Sequence, residues 1–143
     1  MHKANKVLDK LLIRYSEWSL IFLRFGVGFV FLMHGIGKLF AIGPFAAGIS
    51  STAGFFANVG IPAAVFFAWV VSLVETFGGL AILLGFWTRL SALLLSIDMM
   101  AAILVVHIPN GFYKTGGELP LLLLLGVLTL LFAGAGKKLS IEK

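Results

Sequence analysis

Apolar residues run along this chain in four long blocks, broken by short stretches of Gly, Pro and charged residues. The first block, Leu20 to Phe40, is long enough to span a bilayer. The pattern predicts four spans, at about 18–41, 62–86, 89–108 and 118–133. The first is preceded by residues 1–17, where Val7, Leu8, Leu11, Leu12 and Tyr15 recur at helical spacing. Lys3, Lys6 and Lys10 fall mainly on the other side of that helix, with Arg14 at its edge. That arrangement suits a helix lying in the headgroup plane; a plain basic flank that sets orientation is the other reading. The expected fold is all-α: a four-helix transmembrane bundle forming a single domain over 1–143, with a short N-terminal interfacial helix.

Between the first two spans, residues 42–61 carry no charge and are rich in Gly, Ala, Ser and Phe. They read as a loop, punctuated by Gly43-Pro44 and Gly60-Ile61-Pro62, that rests on or dips into the membrane surface. Thr88 is placed to cap the third span, and Thr115 with Glu118 has the spacing of a capping box for the fourth. A cleaved leader is not expected. The first apolar segment exceeds the usual 7–15 residues of such a peptide and contains Arg24.

Composition sharpens the class. Sixty per cent of the 143 residues are hydrophobic and 12% are charged, more apolar surface than a soluble domain of this size can bury. The absence of cysteine removes disulfides, thiolate catalysis, thiol relays and iron–sulfur clusters. The net charge of +5 reports topology and lipid contact in such a chain, not nucleic acid. Lys3, Lys6, Lys10, Arg14, Arg89, Lys137, Lys138 and Lys143 fall on one side, against Lys38 and Lys114 on the other. Four spans then place both termini in the cytoplasm of a cell-membrane protein.

The candidate chemistry lies in the few ionisable residues inside the apolar blocks. Arg24, Phe31 and Lys38 share one helical stripe, with Gly28 and Gly35 between them. Glu75 shares its side of the second span with Ala68, Ser72, Gly78 and Gly79, so it faces protein. Asp98 falls near mid-depth on the third. Counting about 1.5 Å per residue predicts an inner cluster of Arg24, Glu75 and Asp98, one positive charge against two negative, to be balanced by a proton or a ligand. A second layer near the outer face gathers His34, Lys38, His107, Tyr113 and Glu118. The ligand-binding candidates are therefore Arg24, His34, Lys38, Glu75, Asp98, His107 and Glu118. No metal site is expected and no residue is assigned a catalytic role. Simpler roles are open to several: an inter-helix tie for Arg24, a carbonyl cap for His107, and water-level positions for Lys38 and Glu118. A pocket of His, Lys and carboxylate with apolar walls suits a quinone, whose carbonyls need donors and whose reduction needs protons. His34 and His107 could ligate one haem, but two histidines are thin support for it.

The residues also resemble the DoxX family of small four-helix membrane proteins. The resemblance runs from the first span to the tail. It rests on Arg24 followed by Phe31-Leu32-Met33-His34-Gly35-Ile36-Gly37-Lys38-Leu39, then Glu75-Thr76-Phe77-Gly78-Gly79 and Leu84-Gly85-Phe86-Trp87-Thr88-Arg89. Asp98-Met99, Ala102 and His107 follow, then Asn110-Gly111-Phe112, Gly117-Glu118-Leu119, and Gly134-Ala135-Gly136 leading into Leu139-Ser140-Ile141. The matching family positions are Arg24, His34, Lys38, Glu75, Arg89, His107 and Glu118. The family is named for a subunit associated with a terminal quinol oxidase and with thiosulfate:quinone oxidoreductase, and other members are linked to oxidative stress and quinone detoxification. The resemblance implies a quinone-handling subunit of a membrane oxidoreductase complex, with a redox protein partner. A non-enzymatic scaffold or a small proton-coupled transporter, the latter as a homo-oligomer, are the alternatives.

Overall fold

The computed structural model describes residues 2–142, with side chains from Lys6 onward, so Met1, Lys143 and the side chain of Lys3 lie outside the described residues. Helix α1 spans His2–Ile13 and a short 3-10 turn, Ser16–Trp18, leads into α2, Ser19–Phe40. Helix α3 is Gly48–Asn58, α4 is Ala64–Leu84, and α5 is Thr88–Ala101, which continues as a π-helical stretch, Ala102–His107. Helix α6, Glu118–Ala133, completes the bundle. The described residues contain no strand.

Three helical segments, Ser16–Phe40, Ala64–Leu84 and Thr88–His107, are long and apolar enough to cross a membrane. Helix α6 has 16 residues, about 24 Å at 1.5 Å per residue, short of a hydrocarbon core of about 30 Å. Pro120 is tolerated in its first turn, where no intrahelical N–H donor is needed. Phe22, Phe25, Phe66, Phe77, Leu122 and Phe132 point outward and are exposed. A belt of large apolar side chains of this extent needs lipid around it. The chain is a multi-pass membrane protein.

Glycines set the packing of α2 on α4. A Cβ on Gly28 would come within 2.8 Å of the Gly79 carbonyl, and one on Gly79 within 2.5 Å of the Leu32 nitrogen. Gly35 meets the backbone of Thr76 in the same way. Rising numbers on α2 meet falling numbers on α4, so the two run antiparallel in near backbone contact. Helix α4 packs next on α5 and α5 on α6. Helix α6 closes back on α2, where Gly126 leaves room for Val27. Phe31, Ile82, Leu95, Val127 and Leu130 fill the middle.

The stretch read as a loop contains α3, which packs on α4 and α2. Its Gly, Ala and Ser content hid the helix, because small residues mark no apolar face; the turn signals at its two ends were read correctly. Neither expected cap forms. Thr88 is the first residue of α5, not its cap, and its buried hydroxyl has no partner; Trp87 precedes it with φ 44°. Gly117 occupies the cap position of α6, while the Thr115 hydroxyl donates to the Gly111 carbonyl at 3.0 Å. Val7, Leu8, Leu11 and Leu12 on α1 are all exposed, as a helix lying in the headgroup plane requires.

Candidate functional site

Arg24 and the two buried carboxylates do not form one cluster. Arg24 is 2% exposed and spends its donors on main-chain carbonyls at the end of the bundle that carries both termini. Its Nε donates to the Ile82 carbonyl at 2.9 Å and its Nη2 to Leu83 at 2.9 Å. The remaining bonds reach the tail: Ala135 at 3.1 Å, Lys138 at 3.4 Å and Leu139 at 2.9 Å. The last carbonyls of a helix have no intrahelical donors and carry the negative end of its dipole. A guanidinium with five N–H groups fits both needs at the C-terminus of α4. Gly85 keeps this space open, since a Cβ there would lie 2.7 Å from the Arg24 Cζ. The tail closes the knot with Glu142 N–H to the Gly85 carbonyl at 2.9 Å and the Glu142 carboxylate accepting from Thr88 N–H at 3.2 Å. Arg89 donates to the Leu131 and Phe132 carbonyls at the end of α6.

Glu75 takes Lys38 as its partner instead. The Lys38 ammonium donates to Glu75 Oε2, joining α2 to α4, with the carboxylate side chain 5% exposed and the lysine 20%. Depth counting separated these two because it started every helix at the same level. The register is set elsewhere, by Gly35 against Thr76, and that contact brings Lys38 level with Glu75. Asp98 on α5 lies beside Glu75, and its Oδ2 is buried without a hydrogen-bond partner. The group holds one cation and two carboxyls.

This group forms the floor of a cavity of about 830 Å³ in the half of the bundle away from the termini. Phe31, Phe55, Phe56 and Phe67 line its sides, with Val105 and Val106 from the π-helical stretch. That stretch widens the helix just where it borders the cavity, a feature common at functional sites. His34 and His107 are both on the wall. The His34 ring stacks on Phe45, centroids 3.8 Å apart, and its Nε2 is buried without a partner. His107 does not cap carbonyls; its Nδ1 pairs with the Thr115 hydroxyl at 2.9 Å. Helix α3 contributes Ser51 and Thr52 to the lining.

Of the seven candidates, His34, Lys38, Glu75, Asp98 and His107 come together here. Arg24 is at the other end of the bundle, and Glu118, like Tyr113, is exposed and off the cavity wall. Sequence reasoning missed Phe45, Thr115 and the aromatic side walls. Phe45, Phe55 and Phe56 all fall in the stretch 42–61 that reads as a surface loop, since nothing local signals that α3 folds over the bundle. No group of three or more side chains able to hold a metal ion gathers among the described residues.

Comparison with known proteins bears on this site. The family model described as DoxX matches residues 19–108, which include α2 through the π-helical stretch. An uncharacterized membrane protein of Mycobacterium tuberculosis is 37% identical, over 83% of this chain and 77% of its own length. An uncharacterized protein of Haemophilus influenzae is 35% identical, over 86% and 88%. A Bacillus subtilis protein named "Putative oxidoreductase CatD" is 29% identical, over 83% and 81%. No solved structure matches the chain.

Proposed function

The chain belongs to the DoxX family of membrane proteins, and from that premise we propose that its cavity binds the ring of a quinone or quinol for a membrane oxidoreductase complex. The observation that carries this reading is the combination in one cavity of apolar aromatic walls and the Lys38, Glu75 and Asp98 group at its floor. A volume of about 830 Å³ lies within the usual range for sites that enclose a small molecule. Aromatic walls suit a flat ring, and a floor of mixed donors and acceptors suits its oxygens. The name of the Bacillus subtilis relative points to the same broad chemistry. With no cysteine, this chain supplies no thiol or iron–sulfur carrier, so a partner protein provides the other redox centre. The proposed setting is the cell membrane, with both termini in the cytoplasm.

The test is quinone binding by purified protein in nanodiscs, followed by tryptophan fluorescence quenching as menaquinone or ubiquinone is added. Saturable quenching in the wild type, weakened in folded His34→Ala and Glu75→Gln variants, is the expected outcome. Equal, non-saturating quenching in all three means bulk partitioning into lipid, and a scaffold role then takes precedence.

A further inference from the structure

Helix α1 has no cover among the described residues. Every side chain from Lys6 to Ser19 is exposed, and the helices of the bundle pack on one another but not on α1. A helix of 12 residues with no tertiary packing is marginal in water. Its apolar face therefore needs a surface from outside the chain. Val7, Leu8, Leu11 and Leu12 form that face, with Tyr15 just beyond the helix, and all five are 53–60% exposed. At 3.6 residues per turn, Lys10 and Arg14 run along one edge of it, while Lys6 and Ile13 are on the opposite side and Asp9 is toward the other edge.

The junction with the bundle fixes the level of α1. It is a folded turn: Tyr15 N–H donates to the Leu12 carbonyl at 2.8 Å, the Ser16 hydroxyl to Ile13 at 2.9 Å, and Trp18 N–H to Tyr15 at 2.9 Å. The tail ties this turn down, because the Lys138 ammonium is 3.8 Å from the Glu17 carboxylate and 5.3 Å from the centre of the Trp18 ring. The first membrane-crossing segment starts at Ser16, so α1 begins where that span meets the headgroups. Glu17 is spent on Lys138, which leaves Lys10 and Arg14 as net positive charge beside an apolar face. That combination matches a leaflet with a negative surface and an apolar interior. A second copy of this chain would bring the same positive charge against it.

We propose that α1 is an arm that docks on anionic phospholipid, with Val7, Leu8, Leu11 and Leu12 in the acyl boundary and Lys10 and Arg14 among the negatively charged headgroups. On a neutral leaflet the arm loses the electrostatic share of its binding and lifts. The charge of the lipid then decides whether α1 lies down beside the end of the bundle that carries both termini.

The chain has no cysteine, so Leu8→Cys accepts a single polarity-sensitive fluorophore. The full labelled chain, one copy per nanodisc, is compared in phosphatidylcholine alone and in phosphatidylcholine mixed with phosphatidylglycerol. The expected result is emission shifted toward that of an apolar medium in the anionic discs, reversed by high salt. Each basic residue near such a surface is worth about fivefold, so Lys10→Gln with Arg14→Gln should lower the ratio of docked to free arm by about 25-fold. A label at Ile13→Cys, on the opposite side of the helix, should stay in water in both lipids. All the replaced side chains are exposed, so the bundle keeps its packing in these variants. Equal emission of the Leu8→Cys label in the two lipids, whether wet or dry, overturns the proposal. A shift that appears only when a disc holds two copies also overturns it, because a second copy is then the cover.

Discussion

Arg24 shows how a charge can be buried in a membrane bundle without a counter-ion. Its guanidinium meets carbonyls of the last turn of α4 and of the tail. The Ile82 carbonyl also accepts from Gly85 N–H at 3.1 Å, but losing Arg24 takes the donor from the Leu83, Ala135 and Leu139 carbonyls. Arg24→Met should lower unfolding stability by about 3 kcal/mol, read from thermal unfolding in detergent. Any ligand affinity of the molecules that stay folded should not change, because the cavity lies at the other end. A change in affinity without a change in stability would contradict this assignment. Glu75 differs in place: its ion pair with Lys38 is part of the cavity floor, so its replacement alters the cavity as well as the packing of α2 on α4.

The helices are placed by their smallest residues. Helices α2 and α4 approach through Gly28, Gly35 and Gly79, and this contact fixes which polar groups meet. Gly79→Ala puts a methyl 2.5 Å from the Leu32 nitrogen, a backbone atom that cannot turn aside. The helices must separate, at a cost of about 1–3 kcal/mol, and the Lys38–Glu75 pair should loosen with them. Gly26→Ala is the control, since a Cβ there meets nothing within 4 Å, on the exposed side of α2. It should be neutral or stabilising by about 0.5 kcal/mol. Chemical denaturation of both variants checks the pair. Helix α3 and the π-helical stretch complete the cavity from two sides, and each is an irregular insertion on an otherwise plain bundle.

The molecule as a whole has two unlike ends. One gathers the tail, Arg24 and Arg89 into a set of carbonyl caps, and also carries the basic residues Lys137 and Lys138. The other opens the cavity between α3, the π-helical stretch and the start of α6. The basic bias predicts that the tail end faces the cytoplasm. Because the chain has no cysteine, single replacements report topology cleanly. In intact cells, a membrane-impermeant maleimide should label Lys114→Cys and leave Lys137→Cys unlabelled until the membrane is opened; the reverse pattern would invert the orientation.

The class of protein, the four helical blocks and the inward sides of the first two were legible in the order of residues, because bilayer thickness and the 3.6-residue turn act locally along the chain. So were the family resemblance and four ionisable residues of the cavity wall, His34, Lys38, Glu75 and Asp98. Which polar group meets which was not. Arg24 was matched to carboxylates on charge and depth, yet its partners are carbonyls up to 115 residues away, and carbonyls leave no mark in a sequence. Lys38 was set apart from Glu75 because the register of α2 on α4 depends on glycine contacts between distant segments. The roof of the cavity was hidden for the same reason: α3 has too few apolar landmarks to announce a helix, and only packing on α4 and α2 places it over the bundle. Local periodicity can specify a helix and its buried side. The pairing of side chains across helices follows from close approach in three dimensions, which only the folded bundle provides.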